Sequence, residues 1–476
     1  MCRFAHRLTR PRTVTGESRP VTEVDLDLIR RYNVSGPRYT SYPTALQFGD
    51  FDEAGYRHAV AASGRAARPL SLYCHIPFCS TLCYYCACSK IVTRDRGKGV
   101  RYLQHLQREI DLHAPLYAGR VVSQLHWGGG TPTFLDDDQV DALMAHIRQR
   151  FSMAARADGE FSIEIDPRTV DAGRIRRLWG AGFNRLSMGV QDFEPAVQKA
   201  VNRRQSFEAT QAAMQAARAV GFGSISVDLI YGLPHQTPAT VARTLEQVVA
   251  LSPDRISIYN YAHLPDRFTP QQRINVTDLP AAETKLALLK LCIEQLTGAG
   301  YCYIGMDHFA KPDDELAIAQ RNGTLQRNFQ GYSTFADCDM VAMGVTAISQ
   351  VGNVYAQNAK TLDAYESLVA RGVIPIVKGV TIDAEDRLRK AVIMTLICQF
   401  ALQFAPIEAA YGIDFRNHFA AELARLEDMR ADALLAIDAD GIRVTEQGRL
   451  LIRNICMVFD RYLNPAAQTS RFSKAI

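Results

Sequence analysis

Residues 70–88 read LSLYCHIPFCSTLCYYCAC, a β-rich run from Leu70 to His75 that empties into a loop dense in cysteine. Cys74, Cys79, Cys83, Cys86 and Cys88 all fall within this one stretch. The same plan, a strand feeding a polar or glycine-rich segment, recurs downstream. The later runs are Val121 to Trp127, Phe161 to Ile165, Asn184 to Val190, Ile225 to Tyr231 and Ile256 to Tyr261. They lead into Gly128-Gly129-Gly130-Thr131-Pro132, Asp166-Pro167-Arg168, Gln191-Asp192, Gly232-Leu233-Pro234 and Ala262-His263-Leu264-Pro265. Helical periodicity fills the intervals: Leu103, Leu106, Ile110 and His113 mark one face, and Val140, Leu143, Met144, Ile147 and Phe151 another. Asp136 to Asp138 supply an N-terminal cap for the second helix. Strands alternating with helices imply parallel strands joined by crossover helices. Six such units are fewer than a closed barrel's eight, so the expected fold is α/β, an open, partial (β/α)6 barrel. Chemistry gathers at the carboxyl ends of such strands, and loops in phase there predict one site.

The chain has 476 residues, 47% hydrophobic and 22% charged, the composition of an ordinary globular protein rather than a disordered or fibrous one. Its net charge of +4, from 54 basic and 50 acidic residues, is too mild to imply nucleic acid or an anionic membrane as partner. The longest apolar stretch, Ala391 to Ala405, is broken by Gln399 and Gln403 and is too short for a bilayer span, so it reads as a buried helix. Arg3, Arg7, Arg10, Arg12 and Arg19 lie in an N-terminal segment with no apolar core, which reads as a disordered basic extension of a cytoplasmic protein. Outside the cluster, Cys2, Cys292, Cys302, Cys338, Cys398 and Cys456 are scattered, mostly among apolar residues. An odd total of 11 with one dense cluster argues for a metal site in a reducing compartment rather than a disulfide framework.

After Pro280 an amphipathic helix (Leu286, Leu289, Ile293, Leu296) leads to a seventh apolar run, Tyr301 to Met306. Beyond it, a helix near Glu385 to Gln399 precedes Leu434 to Asp438, a turn at Asp440-Gly441, Ile442 to Thr445 and a final helix. Helices followed by a short hairpin are similar to a winged-helix module. Without a basic recognition stripe, a cover over the barrel is the preferred role, and DNA binding the alternative. The expected organisation is an N-terminal extension over 1–52 (disordered over 1–22), a barrel over 53–304, and a mostly helical C-terminal cover domain over 305–476.

Cys79, Cys83 and Cys86 have the spacing C-x3-C-x2-C. Three thiolates on one short loop can hold three irons of a [4Fe–4S] cluster and leave the fourth iron open to a small molecule. A structural zinc usually takes two spaced ligand pairs, and no second C-x2-C or His pair appears. The spacing favours the cluster.

With Tyr85 ahead of its last cysteine, this spacing resembles the signature of the radical S-adenosylmethionine (SAM) enzymes. The string Tyr73 to Cys88 is similar to one branch, the oxygen-independent coproporphyrinogen III oxidases of haem biosynthesis. So are Gly36 to Ala45, His126 to Thr133, Asn184 to Phe193, Asp228 to Pro234, Gly305 to Phe309 and Arg453 to Cys456. The resemblance runs from about Val24 to the C-terminus. A haem-chaperone-like branch shares the barrel but typically lacks a cysteine at the Cys88 position and the Gly36 to Ala45 segment, both present here. One departure is Cys74, where the oxidases usually have an aliphatic residue; on a strand it points away from Tyr73 and His75 and reads as core packing.

The resemblance implies that SAM chelates the open iron and that one electron cleaves it to methionine and a 5′-deoxyadenosyl radical. That radical takes a hydrogen from the β-carbon of a propionate, which then loses CO2 and an electron to leave a vinyl group. Done at two propionates, this converts coproporphyrinogen III to protoporphyrinogen IX. The resemblance assigns Cys79, Cys83 and Cys86 to the cluster and Tyr73, Gly129, Glu164 and Ile348 to a first SAM. It assigns Tyr85, Gly130, Thr131, Gln191, Arg203, Asp228 and Ala262 to a second SAM, although an Arg203–Asp228 salt bridge is an alternative use of that pair. Cys88 is a candidate catalytic residue, and Arg38, Arg168 and Arg204 are candidate anchors for propionates. The implied partners are the porphyrinogen and a low-potential electron donor such as a flavodoxin or ferredoxin, with the chain a monomer. Two readings of other kinds are a haem-binding protein without porphyrinogen turnover and an iron–sulfur sensor with a DNA-binding output.

Overall fold

Each of the six runs forms a strand, within two residues of its expected ends: Leu70–Ile76, Val121–Gly129, Glu160–Ile165, Arg185–Gln191, Ser224–Tyr231 and Arg255–Asn260. The computed structural model describes residues 26–32, 34–64, 68–335 and 338–463; the expected disorder over 1–22 lies outside the described residues. The six strands pair in sequence order and all in parallel. Helices Arg96–His113, Asp137–Arg150, Ala172–Ala181, Phe207–Val220 and Pro238–Leu251 make the crossovers. Asp136 caps the second of these in a reciprocal box with Gln139, and Val140, Leu143, Met144 and Ile147 bury its inner stripe.

The two-residue period of a strand sorts the side chains. Phe161, Ile163 and Ile165 of the third strand, Leu186, Met188 and Val190 of the fourth, and Ile225, Val227 and Leu229 of the fifth are all buried. The alternate positions, Ser162 and Glu164, Ser187, Gly189 and Gln191, and Asp228 and Ile230, face the interior of the open barrel and stay partly accessible. The barrel interior is therefore polar, while its outer face is the hydrophobic core.

Among the described residues the sheet extends beyond the six strands to fourteen. Asp339–Met343 lies parallel to the first strand, followed by the antiparallel strands Ile348–Val351, Val354–Asn358 and Ile376–Thr381, with Gly49–Asp50 at the edge. At the other side His308–Ala310 runs antiparallel to the sixth strand and pairs with Cys302–Gly305. Two buried acids fix the C-terminal strands. Asp339 accepts hydrogen bonds from Arg120 (2.7 Å), the Gly352 amide (2.9 Å) and Ser63. Glu109, with no exposed surface, accepts from the Gly344 amide, Asn358 and Tyr365, each at 2.7 Å. Satisfied on every side, these charges are held where an unpaired one would be costly.

The C-terminal region becomes helical at Ala384–Gln399, capped by Asp383. The apolar stretch Ala391 to Ala405 is not one helix. Phe400 takes a left-handed conformation (φ 54°) that ends the helix and turns the chain into strand Ala401–Gln403. That strand joins Leu435–Ile437 and Gly441–Val444 in a small antiparallel sheet, followed by helices Glu446–Leu450 and Ile452–Val458. Among the described residues no helix is long and apolar enough to cross a membrane. The segment Gly36 to Ala45 packs on the last helix: Arg453 donates to the Gly36 and Pro37 carbonyls, and Tyr39 donates to Asp460 at 3.0 Å.

Candidate active site

The carboxyl ends of the strands open into a cavity of about 800 Å³, a size suited to small molecules. Cys79, Cys83, Cys86 and Cys88 line it together with Gly129, Gly130, Thr131, Glu164, Gln191, Arg203, Asp228, Ala262 and Tyr85. Tyr73 and Ile348 lie outside this lining. Tyr73 stacks on His126 (centroids 5.8 Å apart), and Ile348 packs beside Phe48, Tyr355 and Ile382. Of the candidate anchors Arg168 lines the cavity, Arg38 does not, and Arg204 is exposed on the surface. Cys74 is fully buried in the core.

The cysteine loop is tied down from several directions. The Asn202 amide donates to the Leu82 carbonyl (2.7 Å), the Tyr84 N–H to Val201 (3.0 Å), and Gln271 to the Tyr85 carbonyl (3.1 Å). Gly129 and Gly130 are required by the packing of the protein itself. Gly129 has φ +116°, and a Cβ there meets the His75 ring at 2.5 Å; one on Gly130 meets the Pro77 carbonyl at 2.6 Å. The loop and the glycine run thus interlock.

The thiols have unequal surroundings. Burial pushes Cys79 up to about 11, although Thr131, 3.4 Å from its sulfur, partly opposes this. A hydrogen bond from Cys88 together with Lys90 outweighs burial at Cys86 and brings it down to about 6, a thiolate at neutral pH. The Cys83 sulfur accepts from Arg203 at 3.6 Å. Among the described residues no group of three or more His, Cys, Asp or Glu side chains is arranged to hold a metal ion. A tetrahedral zinc needs its ligands converging within about 2.3 Å of one point, whereas a cubane spreads three thiolates over three irons. Cys79, Cys83 and Cys86 line one cavity from one short loop, an arrangement that fits such a cluster.

The remaining polar groups form two sets. Asp166 accepts from Arg168 (2.6 Å) and Arg203 (3.1 Å), and although its burial opposes ionisation, the two guanidiniums hold its carboxyl below the usual range. The partner of Arg203 is therefore Asp166 rather than Asp228. Glu164 contacts His126 (3.2 Å) and accepts from the Gly129 amide (3.2 Å), which together overcome burial and keep it ionised. Burial, with Glu164 close by, pushes Asp228 up to about 6, against the hydrogen bonds of Ser187 (3.1 Å) and Ser257. His75 bonds Tyr73 (3.0 Å) and the Ser89 carbonyl (3.0 Å), linking the end of the cysteine loop to the stacked Tyr73–His126 pair. The sequence reading missed Asp166, Ser187, His75 and His126 as members of this network. Strand alternation was the available signal, since Ser187 shares its face with Gln191, and His126 with Gly128.

A model of the radical SAM superfamily matches residues 73–248, and a model of the HemN C-terminal domain matches residues 382–451. The oxygen-independent coproporphyrinogen III oxidase of Pseudomonas aeruginosa is 53% identical over 95% of this chain and 98% of its own length. This chain belongs to that oxidase family. The Escherichia coli oxidase is 52% identical over 95% of this chain and 98% of its own, and the Synechocystis one 46% identical over 96% and 99%. The solved structure of the Escherichia coli oxidase, described as a radical SAM enzyme, superposes with a TM-score of 0.88 at 51% identity, covering 93% of this chain and 99% of that one. The oxidase family's radical SAM partial barrel is the fold described above, from the six parallel strands to the helical C-terminal region.

Proposed function

We propose that this chain carries out the oxygen-independent oxidative decarboxylation of two propionates of coproporphyrinogen III to vinyl groups, giving protoporphyrinogen IX. The observation that carries this reading is identity of about half to coproporphyrinogen oxidases along 95% of the chain. In this reading Cys79, Cys83 and Cys86 hold a [4Fe–4S] cluster. When bound, the cluster and SAM supply one-electron chemistry able to take hydrogen from an unactivated C–H bond, which no ionised side chain can do. The chain's own residues bind and orient. Glu164, ionised and facing the cavity, accepts hydrogen bonds from the first SAM's ribose beside Gly129, with Tyr73 and Ile348 assigned to the same molecule. Tyr85, Gly130, Thr131, Gln191, Arg203, Asp228 and Ala262 take a second SAM; the supporting feature is that all seven line one cavity, which presents both acidic and basic side chains to a zwitterionic amino acid. The region from Gly305 onward covers the barrel and excludes water and side reactions.

Cys88 is exposed to the cavity two residues past a cluster ligand and is assigned to porphyrinogen turnover. Cys88→Ser is expected to keep its iron and lose product; a collapse of iron content makes Cys88 structural instead. The protein acts as a cytoplasmic monomer fed by a low-potential donor such as a flavodoxin or ferredoxin. The described cysteines form no disulfide, which supports a reducing compartment. The deciding experiment is anaerobic incubation of reconstituted protein with coproporphyrinogen III, SAM and a low-potential reductant, followed by chromatography. Protoporphyrinogen IX is the expected product; haem retention without turnover overturns the assignment.

A further inference from the structure

The barrel interior carries a second group of charged side chains that the cysteine cavity does not use. His308 stands edge-on to two tyrosine rings, Tyr259 at 6.0 Å and Tyr332 at 5.2 Å. The Arg38 guanidinium lies 5.8 Å from the Tyr259 ring centre, and that of Arg327 lies 4.7 Å from the Tyr332 ring centre. Two guanidiniums and an imidazole therefore gather around one pair of tyrosines. Among the described residues the ion pair that answers them is that of Asp307 with Arg38.

Arg327 is 7% exposed, yet its Nε and Nη1 have no hydrogen-bond partner and no ion pair reaches it among the described residues. His308 Nδ1 also lacks a partner. Burial, together with Arg327 and Arg38, keeps the His308 imidazole uncharged. Arg453 supports the chamber from behind by donating to the Gly36 and Pro37 carbonyls, which positions the segment carrying Arg38. A buried guanidinium with idle donors is strongly unfavourable unless an anion comes to it. The planar fork of arginine matches a carboxylate in particular.

Tyr259 belongs to both places, since its ring also lines the cysteine cavity. Arg38 and His308 both stand at this shared ring, and Arg327 stands at the Tyr332 ring on the other side of His308. A molecule with a reacting end at the cysteines and carboxylates beyond Tyr259 fits this arrangement. We propose that Arg327, with Arg38 and His308, binds the carboxylates of the propionates that are not decarboxylated. The inference rests on the function proposed above: coproporphyrinogen has four propionates, two react, and the other two remain to be held.

The test uses full-length, reconstituted protein and coproporphyrin III, the oxidised porphyrin that cannot react, with its tetramethyl ester as the uncharged control. Binding is read by fluorescence quenching. Arg327→Gln is expected to weaken coproporphyrin III about tenfold or more, the loss of one charge-assisted hydrogen bond, and to raise KM for coproporphyrinogen III. Its iron content stays at the wild-type level, and the ester binds both proteins alike. Arg327→Lys is expected to regain part of the lost affinity for the acid, and it carries the same comparison if the glutamine variant fails to fold. Acid binding within twofold of wild type, or an equal loss for acid and ester, overturns the inference. If the wild-type protein itself neither binds coproporphyrin III nor turns over the porphyrinogen, it is the proposed function that fails.

Discussion

The cysteine cavity and the arginine chamber share the Tyr259 ring and handle charge in different ways. In the cavity, Arg168 and Arg203 both fall on Asp166, and Glu164 falls on His126. Asp228 has a serine at 3.1 Å and no ion pair among the described residues, and Lys90 and Arg96 line the same cavity with backbone carbonyls as their partners. In the chamber Arg38 falls on Asp307, and the charge left over is the Arg327 guanidinium. The cavity leaves both signs without an ion pair, as a zwitterionic ligand requires, whereas the chamber leaves a cation, as a propionate requires. Charges paired within the fold set the frame, and the unmatched ones mark where a ligand completes it.

The largest test removes the cavity's chemistry while leaving the chamber intact. Cys83→Ala is expected to abolish SAM cleavage and product formation, because three irons need three thiolates, yet to keep binding coproporphyrin III. Iron analysis beside porphyrin fluorescence separates the two regions; retained SAM cleavage breaks the assignment.

Next in size is Asp166→Asn, which strips the shared carboxylate from Arg168 and Arg203. Breaking a buried pair of this kind costs about 3–5 kcal/mol, so denaturant unfolding should show a drop of that order. An unchanged midpoint means that the two arginines find another acid and that the cavity's frame is not what holds it.

Asp228→Asn has a smaller effect that depends on pH. The folded value of about 6 lies above the ordinary 3.8, so the fold favours the protonated carboxyl. The stability this confers is complete below pH 4 and is lost as pH rises through about 6. The variant should therefore match wild type near pH 4 and exceed it at pH 8, by on the order of 3 kcal/mol. A gap that does not grow with pH shows that Asp228 is already compensated. The smallest effect belongs to Arg204→Ala, whose side chain is exposed. Stability should stay within about 0.5 kcal/mol of wild type and KM within twofold; a larger rise in KM would move the propionate anchor to the surface.

The six barrel strands were legible because each is a compact β-rich run ending in a break, Gly, Pro or Asp, that repeats at helical intervals. The C-terminal strands were not. Asp339–Met343 and Val354–Asn358 have five residues each, every one buried, so no alternation marks them. Their strand character comes from the Leu70–Ile76 edge they extend and from the acids Asp339 and Glu109 that anchor them. The apolar periodicity of residues 391–405 continues across Phe400, which hides the turn the backbone makes there. In the site, spacing pointed to the three cysteines and the resemblance to the remaining residues, which line the cavity apart from Tyr73 and Ile348. Pairing was not legible: Asp166 and Asp228 are both acids near a strand end, and only the fold decides which of them meets Arg203.

The parallel ladder that sets Asp339 beside Leu70 also has a history in time. At about 5–20 residues per second of synthesis, roughly 15–50 s separate the emergence of the two partners from the ribosome. Through that interval one edge of the Leu70–Ile76 strand has no neighbour, and an open edge is a template for wrong pairing. The cysteine loop hangs from the end of that same strand, so its thiols wait beside a half-built sheet. The open edge and its thiols are thus exposed from the emergence of Leu70 until Asp339 arrives, so safe maturation depends on how quickly the chain reaches its last third.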